Sequence, residues 1–124
     1  MSDPEFIAEL LRTRDEYQTN AENAVVLGEF RKASELLWGA LTQQLKALAA
    51  TREVVITSHR QFFEFLRQFS REREEPYLYD EFVALNALHK NFYDEIIPLD
   101  TFPQMYERAI RFIGRLRDLA VEVG

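Results

Sequence analysis

The apolar residues of the chain recur three and four positions apart along most of its length. No segment alternates apolar and polar residues over the period of a β-strand. The clearest stripe is formed by Leu78, Phe82, Leu85, His89, Phe92 and Ile96. The pattern predicts five helices packed as an antiparallel all-α bundle. Because no linker-like stretch interrupts it, we expect residues 1–124 to form a single domain.

Capping residues and helix breakers mark the predicted helix boundaries. Three pairs have the spacing of a capping box: Ser2 with Glu5, Ser58 with Gln61, and Thr101 with Gln104. With these signals the predicted helices cover about residues 3–27, 30–50, 58–75, 77–95 and 101–120. Gly39 lies inside the second helix, which predicts close approach of another helix there. The apolar residues at 54–56 predict a connection packed against the bundle.

Composition restricts the classes of function. The chain has 47% hydrophobic and 29% charged residues, as a folded globular protein does. Its net charge of -6 disfavours generic DNA binding, because the summed field repels a polyanion. The absence of cysteine excludes disulfides and thiolate chemistry and fits a reducing compartment. With no signal-peptide pattern and no long apolar run, we expect a cytoplasmic protein without a membrane segment.

No complete catalytic or metal-binding signature is present in the sequence. Its two histidines lie thirty positions apart without cysteine, which matches no familiar zinc spacing. The sequence also lacks a glycine-rich phosphate loop and a Gly-x-Ser-x-Gly nucleophile elbow. We therefore expect neither a metal nor a cofactor.

Three segments of the chain carry motifs of a known superfamily. Residues 33–40 (ASELLWGA) with 46–48 (KAL) are similar to the second helix of the HEPN superfamily of small helical bundles, particularly of its paREP branch. Residues 58–61 (SHRQ), followed by Phe62 and Leu66, are similar to the opening of its third helix. Residues 88–95 (LHKNFYDE) are similar to the fourth-helix motif of the branch. The resemblance runs in the same order over about residues 21–95, and it implies a five-helix HEPN-like fold.

The resemblance also implies a homodimer and a function connected with RNA. Many HEPN proteins are metal-independent endoribonucleases whose motif combines an arginine with a histidine a few residues later. His89 takes the histidine position, but residues 82–85 are Phe, Val, Ala and Leu, so the arginine is missing. The motif's polar residue is retained at most as Asn86.

Our leading hypothesis is a non-catalytic HEPN-like module that binds a partner protein, a nucleotide or RNA. Toxin–antitoxin and nucleotidyltransferase-associated systems use such modules. The first alternative is a divergent metal-independent endoribonuclease that uses His89, and the second is a helical scaffold for protein interactions.

The candidate binding residues are Asn86, His89, Asn91 and Tyr93. Asn86, His89 and Tyr93 lie three and four residues apart, so their side chains can meet on one helix face in a polar pocket. Alternatively, His89 is a structural histidine that bonds to its neighbours. Asn91 matches the fourth-helix motif, and its alternative is an exposed residue near the end of the helix.

Four arginines are candidate phosphate contacts: Arg14, Arg108, Arg111 and Arg115. The last three lie three and four residues apart on the fifth helix. Their alternative is a solvated helix face whose charges pair with acidic neighbours. Arg14 interrupts the apolar stripe of the first helix. It can supply a cation across the bundle or extend from the edge of the stripe into solvent.

Overall fold

The structure is a computed structural model that describes residues 3–122, apart from the side chain of Tyr93. Within this range the chain forms five helices and no strand. The helices are α1 (Pro4–Val26), α2 (Phe30–Thr51), α3 (His59–Arg73), α4 (Pro76–Asp94) and α5 (Phe102–Val121). The predicted all-α bundle of five helices is confirmed. None of the helices in the described range is both long and apolar enough to cross a membrane.

Of the three predicted capping boxes, one is confirmed, one is wrong and one includes a residue outside the described range. The Asp3 carboxylate accepts from the backbone N–H groups of Glu5 and Phe6 and caps α1, whereas Ser2 lies outside the described residues. Ser58 and Gln61 form the predicted capping box at the start of α3. The capping box predicted at Thr101 is wrong. The backbone of Thr101 is already helical, and its hydroxyl donates to the carbonyl of Pro98 instead of accepting from α5.

The α1–α2 hairpin depends on two glycines. Gly28 adopts a φ of +75° in the turn, a conformation that glycine reaches without strain. At Gly39 a Cβ atom would lie 3.0 Å from Cδ2 of Tyr17, which is too close for an ordinary contact. The predicted close approach of another helix is therefore confirmed, and the helix is α1.

The central helix of the bundle is α2, which packs against the other four. Its leucines at 37, 41, 45 and 48 are fully buried. Around it lie fully buried leucines of the other helices, among them Leu66 of α3, Leu85 of α4 and Leu116 of α5. Because several sides of α2 are covered, polar residues on this helix contact side chains from distant parts of the chain.

The buried face of α4 is rotated relative to the predicted stripe. Leu88 and Asn91 are buried, whereas Phe92 is half-buried and Ile96 is 48% exposed beyond the end of the helix. The C-terminal half of α4 thus presents Leu88 and Asn91 to the interior and leaves His89 at the edge. In the connection after α2, only Ile56 of the three apolar residues is buried, so packing was predicted correctly for one of them.

Candidate functional site

His89 of α4 is paired with Glu35 of α2. Its Nδ1 atom lies 2.9 and 3.1 Å from the two carboxylate oxygens, and the side chains are 31% and 33% exposed. An ionised carboxylate only accepts hydrogen bonds, so Nδ1 must carry a proton and donate it. This pairing orients the imidazole, and in the neutral ring Nε2 is then the basic nitrogen.

The second histidine of the chain lies beside the first. His59 is the first residue of α3, and its ring centroid is 5.4 Å from that of His89. In the sequence each histidine belongs to a separate motif, and no pattern brings the two together or singles out Glu35. No sequence signal joins these residues, because Ser58 determines where α3 begins but not where α3 packs against α4.

Aromatic rings surround the two imidazoles. Trp38 stacks on Phe82 and on His89, with centroid distances of 5.1 and 6.0 Å and an interplanar angle of 27° in both pairs. Phe63 contacts His59 edge-on at 5.3 Å and Phe82 at 4.8 Å. These contacts build one layer of rings from α2, α3 and α4. We call the group the histidine cluster, and it consists of Glu35, Trp38, His59, Phe63, Phe82 and His89.

The electrostatics of the cluster separate the two histidines. Burial lowers the pKa of His59 below its ordinary value of 6.5, and the charge of nearby His89 lowers it further, while Glu35 acts in the opposite direction. Near neutral pH His59 is therefore an uncharged ring, available for stacking or for accepting a proton. No three His, Asp or Glu side chains within the described range are arranged to hold a metal ion.

The other predicted polar residues of α4 occupy different environments. Asn91 is 3% exposed. Its Nδ2 donates to Ser34 Oγ at 3.0 Å, and its Oδ1 accepts from the backbone N–H of Ile97 at 2.7 Å. The alternative of an exposed Asn91 is therefore wrong, because the side chain joins α4 to α2 and to the following loop. Asn86 is partly buried and its Oδ1 has no hydrogen-bond partner in the described structure. The side chain of Tyr93 lies outside the described residues.

Two arginines of α5 form ion pairs with acidic residues of the same bundle. Arg108 pairs with Glu81, its Nε lying 3.1 Å from Oε2. Arg115 pairs with Glu75 at 3.0 Å and also donates to the hydroxyl of Tyr77. Hydrogen bonds to these carboxylates raise the pKa of both guanidinium groups. Much of their positive charge is thus directed toward carboxylates of the protein itself.

The remaining two candidate arginines lie in contrasting places. Arg111 is 72% exposed and lies 4.0 Å from Glu107. Arg14 is only 15% exposed. Its Nη1 donates to Gln44 Oε1 at 2.6 Å, and its Nη2 pairs with Asp15 at 2.7 Å. Gln44 is itself fully buried, so Arg14 extends into the α1–α2 interface.

A groove of about 780 Å³ opens between the α1–α2 turn and the loop that joins α4 to α5. We call it the end groove. Its apolar lining consists of Phe30, Phe92, Ile97, Pro98, Leu99 and Phe102, and its charged lining of Glu29, Arg31, Lys32 and Glu95. The guanidinium of Arg31 donates twice to the carbonyl of Phe92, at 2.9 and 2.7 Å, and pairs with Glu95 at 3.1 Å. Arg31 thereby holds the C-terminal end of α4 against α2.

Comparison with known proteins identifies the family. The model of the archaeal PaREP1/PaREP8 family matches residues 9–113, a range that includes every residue of the histidine cluster. The comparisons with curated proteins and with solved structures found no match. The predicted resemblance to paREP proteins is confirmed at the level of the family. The chain belongs to the archaeal PaREP1/PaREP8 family.

Proposed function

We propose that the chain is a HEPN-like module that acts by binding single-stranded RNA or a nucleotide at the histidine cluster. One observation carries the proposal. The three segments that resemble HEPN proteins meet at this cluster, with Glu35 and Trp38 from the first, His59 from the second and His89 from the third. Segments far apart in sequence that converge on partly exposed polar side chains, here packed on the buried ring of Trp38, are typical of a binding site.

The chemistry of the cluster suits an unpaired base. His59 is exposed at the start of α3, and its ring can stack on a base as aromatic and histidine rings do in RNA-binding proteins. The carboxylate of Glu35 accepts hydrogen bonds and can take one from an amino group of a base. The net charge of -6 opposes attachment along a duplex backbone, so we expect single strands to be preferred over duplex DNA.

Binding of fluorescent single-stranded RNA tests the proposal. Because base stacking contributes about 1–3 kcal/mol per base, His59→Ala should weaken binding by roughly tenfold or more. The matched control is Phe6→Ala, which removes an aromatic side chain of similar exposure from α1. The proposal fails if neither RNA nor nucleotides bind at millimolar concentration, and the helical scaffold for protein interactions then becomes the better hypothesis.

A second candidate function is a divergent metal-independent endoribonuclease, which the contact between two imidazoles favours. Neutral His59 would take the proton of a ribose 2′-hydroxyl as that oxygen attacks the phosphorus. His89, oriented by its hydrogen bond to Glu35, would give a proton to the departing 5′-oxygen. The products would be a 2′,3′-cyclic phosphate and a 5′-hydroxyl end.

Cleavage assays in EDTA distinguish the two functions. As a binding module, the wild-type protein should leave RNA intact. The arginine that stabilises phosphate charge in the motif of HEPN endoribonucleases is missing from the matching positions before His89. Metal-independent cleavage that disappears in both His59→Ala and His89→Ala, with unchanged melting temperatures, would establish the nuclease instead.

The proposal includes two associations drawn from the family resemblance. One is a homodimer, and the other is a partner protein of the toxin–antitoxin or nucleotidyltransferase-associated type, both in the cytoplasm. Light scattering at high micromolar concentration should give twice the mass of the chain. A monomer under those conditions would refute the dimer.

A further inference from the structure

The end groove begins three residues away from the histidine cluster on two of the three helices that build the cluster. On α2, Lys32 of the groove lies three residues before Glu35 of the cluster. On α4, Phe92 of the groove lies three residues after His89. Residues three apart share a helix face, so the cluster and the groove follow one another along the same α2–α4 seam. The two sites are therefore neighbours along this seam.

The lining of the groove combines aromatic walls with a cation at the junction. The ring centroids of Phe30 and Phe102 are 5.0 Å apart, and Phe92 lines the groove from α4. Lys32 forms no ion pair within the described range, in contrast to Arg31 beside it, which is paired with Glu95. Lys32 is also the groove residue that lies nearest to Glu35 along α2, at the junction of the two sites. A positive charge at that junction is complementary to the phosphate that links two nucleotides.

We propose that the end groove binds the base of a second nucleotide of the RNA strand whose neighbouring base is held at the histidine cluster. Lys32 contacts the phosphate between them, and the apolar walls of the groove cover the base. This inference rests on the proposed RNA-binding function and extends it to a recognition unit of at least two unpaired nucleotides.

The dependence of affinity on probe length tests the inference. The probes are a single nucleoside 5′-monophosphate and a single-stranded RNA hexamer of the same base, titrated by calorimetry. The hexamer should bind about tenfold tighter or more, because a second base gains a stacking surface. Lys32→Glu and Leu99→Asp should remove that gain, and Leu99→Asp should leave the affinity for the monophosphate unchanged. Leu99 is 71% exposed on the rim of the groove, so its replacement should not disturb folding.

Two controls match the groove variants in charge and exposure. Arg71→Glu on α3 changes the net charge by the same amount as Lys32→Glu, and Val55→Asp replaces a 66% exposed apolar residue outside the groove. Both controls should retain the gain in affinity with length. Equal losses of this gain in Arg71→Glu and Lys32→Glu would show that the effect is one of general electrostatics and would overturn the binding role of the groove.

The remaining outcomes separate failure of the groove from failure of the proposed function. If both probes bind equally well, the cluster binds RNA and the groove does not contribute. If neither probe binds, the proposed function fails and the inference fails with it. The backbone amide resonances of Ile97 and Leu99 should move on addition of the hexamer and not on addition of the monophosphate. Resonances that instead move with protein concentration alone would assign the groove to a second copy of the chain.

Discussion

Replacement of Asn91 by alanine should destabilise the protein more than replacement of Asn86, the other asparagine of α4. The side chain is 3% exposed and makes two hydrogen bonds, one to a residue 57 positions away in the sequence and one to a residue six positions away. It donates to Ser34 of α2 and accepts from the backbone of Ile97, which follows α4. Alanine would break both bonds at once and separate the end of α4 from the centre of the bundle.

The magnitude follows from the two bonds and the group that is left behind. Each hydrogen bond contributes about 0.5–1.5 kcal/mol net, and the N–H of Ile97 would lose its acceptor in a partly buried place. The expected loss in the free energy of unfolding is therefore about 2–3 kcal/mol. With an unfolding entropy of about 2.1 cal/mol/K per residue, this loss lowers Tm by roughly 10 °C for a chain of this length.

Thermal and urea unfolding measure the effect, and Asn86 supplies the matched control. Its Oδ1 is buried without a partner, so Asn86→Ala removes an unsatisfied polar atom and should change stability by less than about 1 kcal/mol. Asn91→Asp keeps an acceptor for Ile97 and should lie between wild type and Asn91→Ala. Equal losses in Asn91→Ala and Asn86→Ala would refute the argument.

Three further predictions follow from the cluster and the α1–α2 hairpin. Because burial and the charge of His89 lower the pKa of His59, the unfolded chain binds that proton more readily than the folded one below pH 6.5. The free energy of unfolding should therefore fall as the pH decreases from 6.5 toward the lowered pKa. His59→Gln should reduce the slope of Tm against pH. An unchanged slope would contradict the lowered pKa of His59. His89→Ala should cost roughly 1–3 kcal/mol in urea unfolding, because Glu35 loses its partner; wild-type stability would rule out a structural contribution. Gly39→Leu should cost about 1–3 kcal/mol through overlap with the Tyr17 ring, and Tyr17→Ala in the same chain should recover part of it; additive losses would show that the two positions are independent.

Local rules succeeded where the controlling residues lie within one helical turn of each other. Ser58 and Gln61 determine the start of α3 through bonds between neighbours, and Gly28 ends the first helix by its own backbone freedom. The same rule failed at Thr101, because the backbone before α5 is already helical and directs the hydroxyl to Pro98. A capping box requires a particular backbone conformation as well as the right residue types.

The rotation of α4 shows that the periodicity of apolar residues is not sufficient to identify the buried face of a helix. The predicted stripe included His89 and Phe92, whereas the buried face includes Leu88 and Asn91. Both sets fit a helical repeat, because adjacent residues on a helix differ by only 100° in direction. The packing of α4 against α2 and against the loop before α5 selected one of them, and it turned Asn91 into a buried link.

The sequence by itself determined the class of fold, the number of helices and nearly all of their boundaries. These properties follow from the spacing of apolar residues and from capping between near neighbours. Both are local features of the sequence. Only the tertiary structure brought His59, His89 and Glu35 together and placed a groove beside them. Such contacts join residues 30 and 54 positions apart, and they depend on how each helix is rotated and crossed against its neighbours. That arrangement is set by the packing of the whole core, which no local pattern specifies.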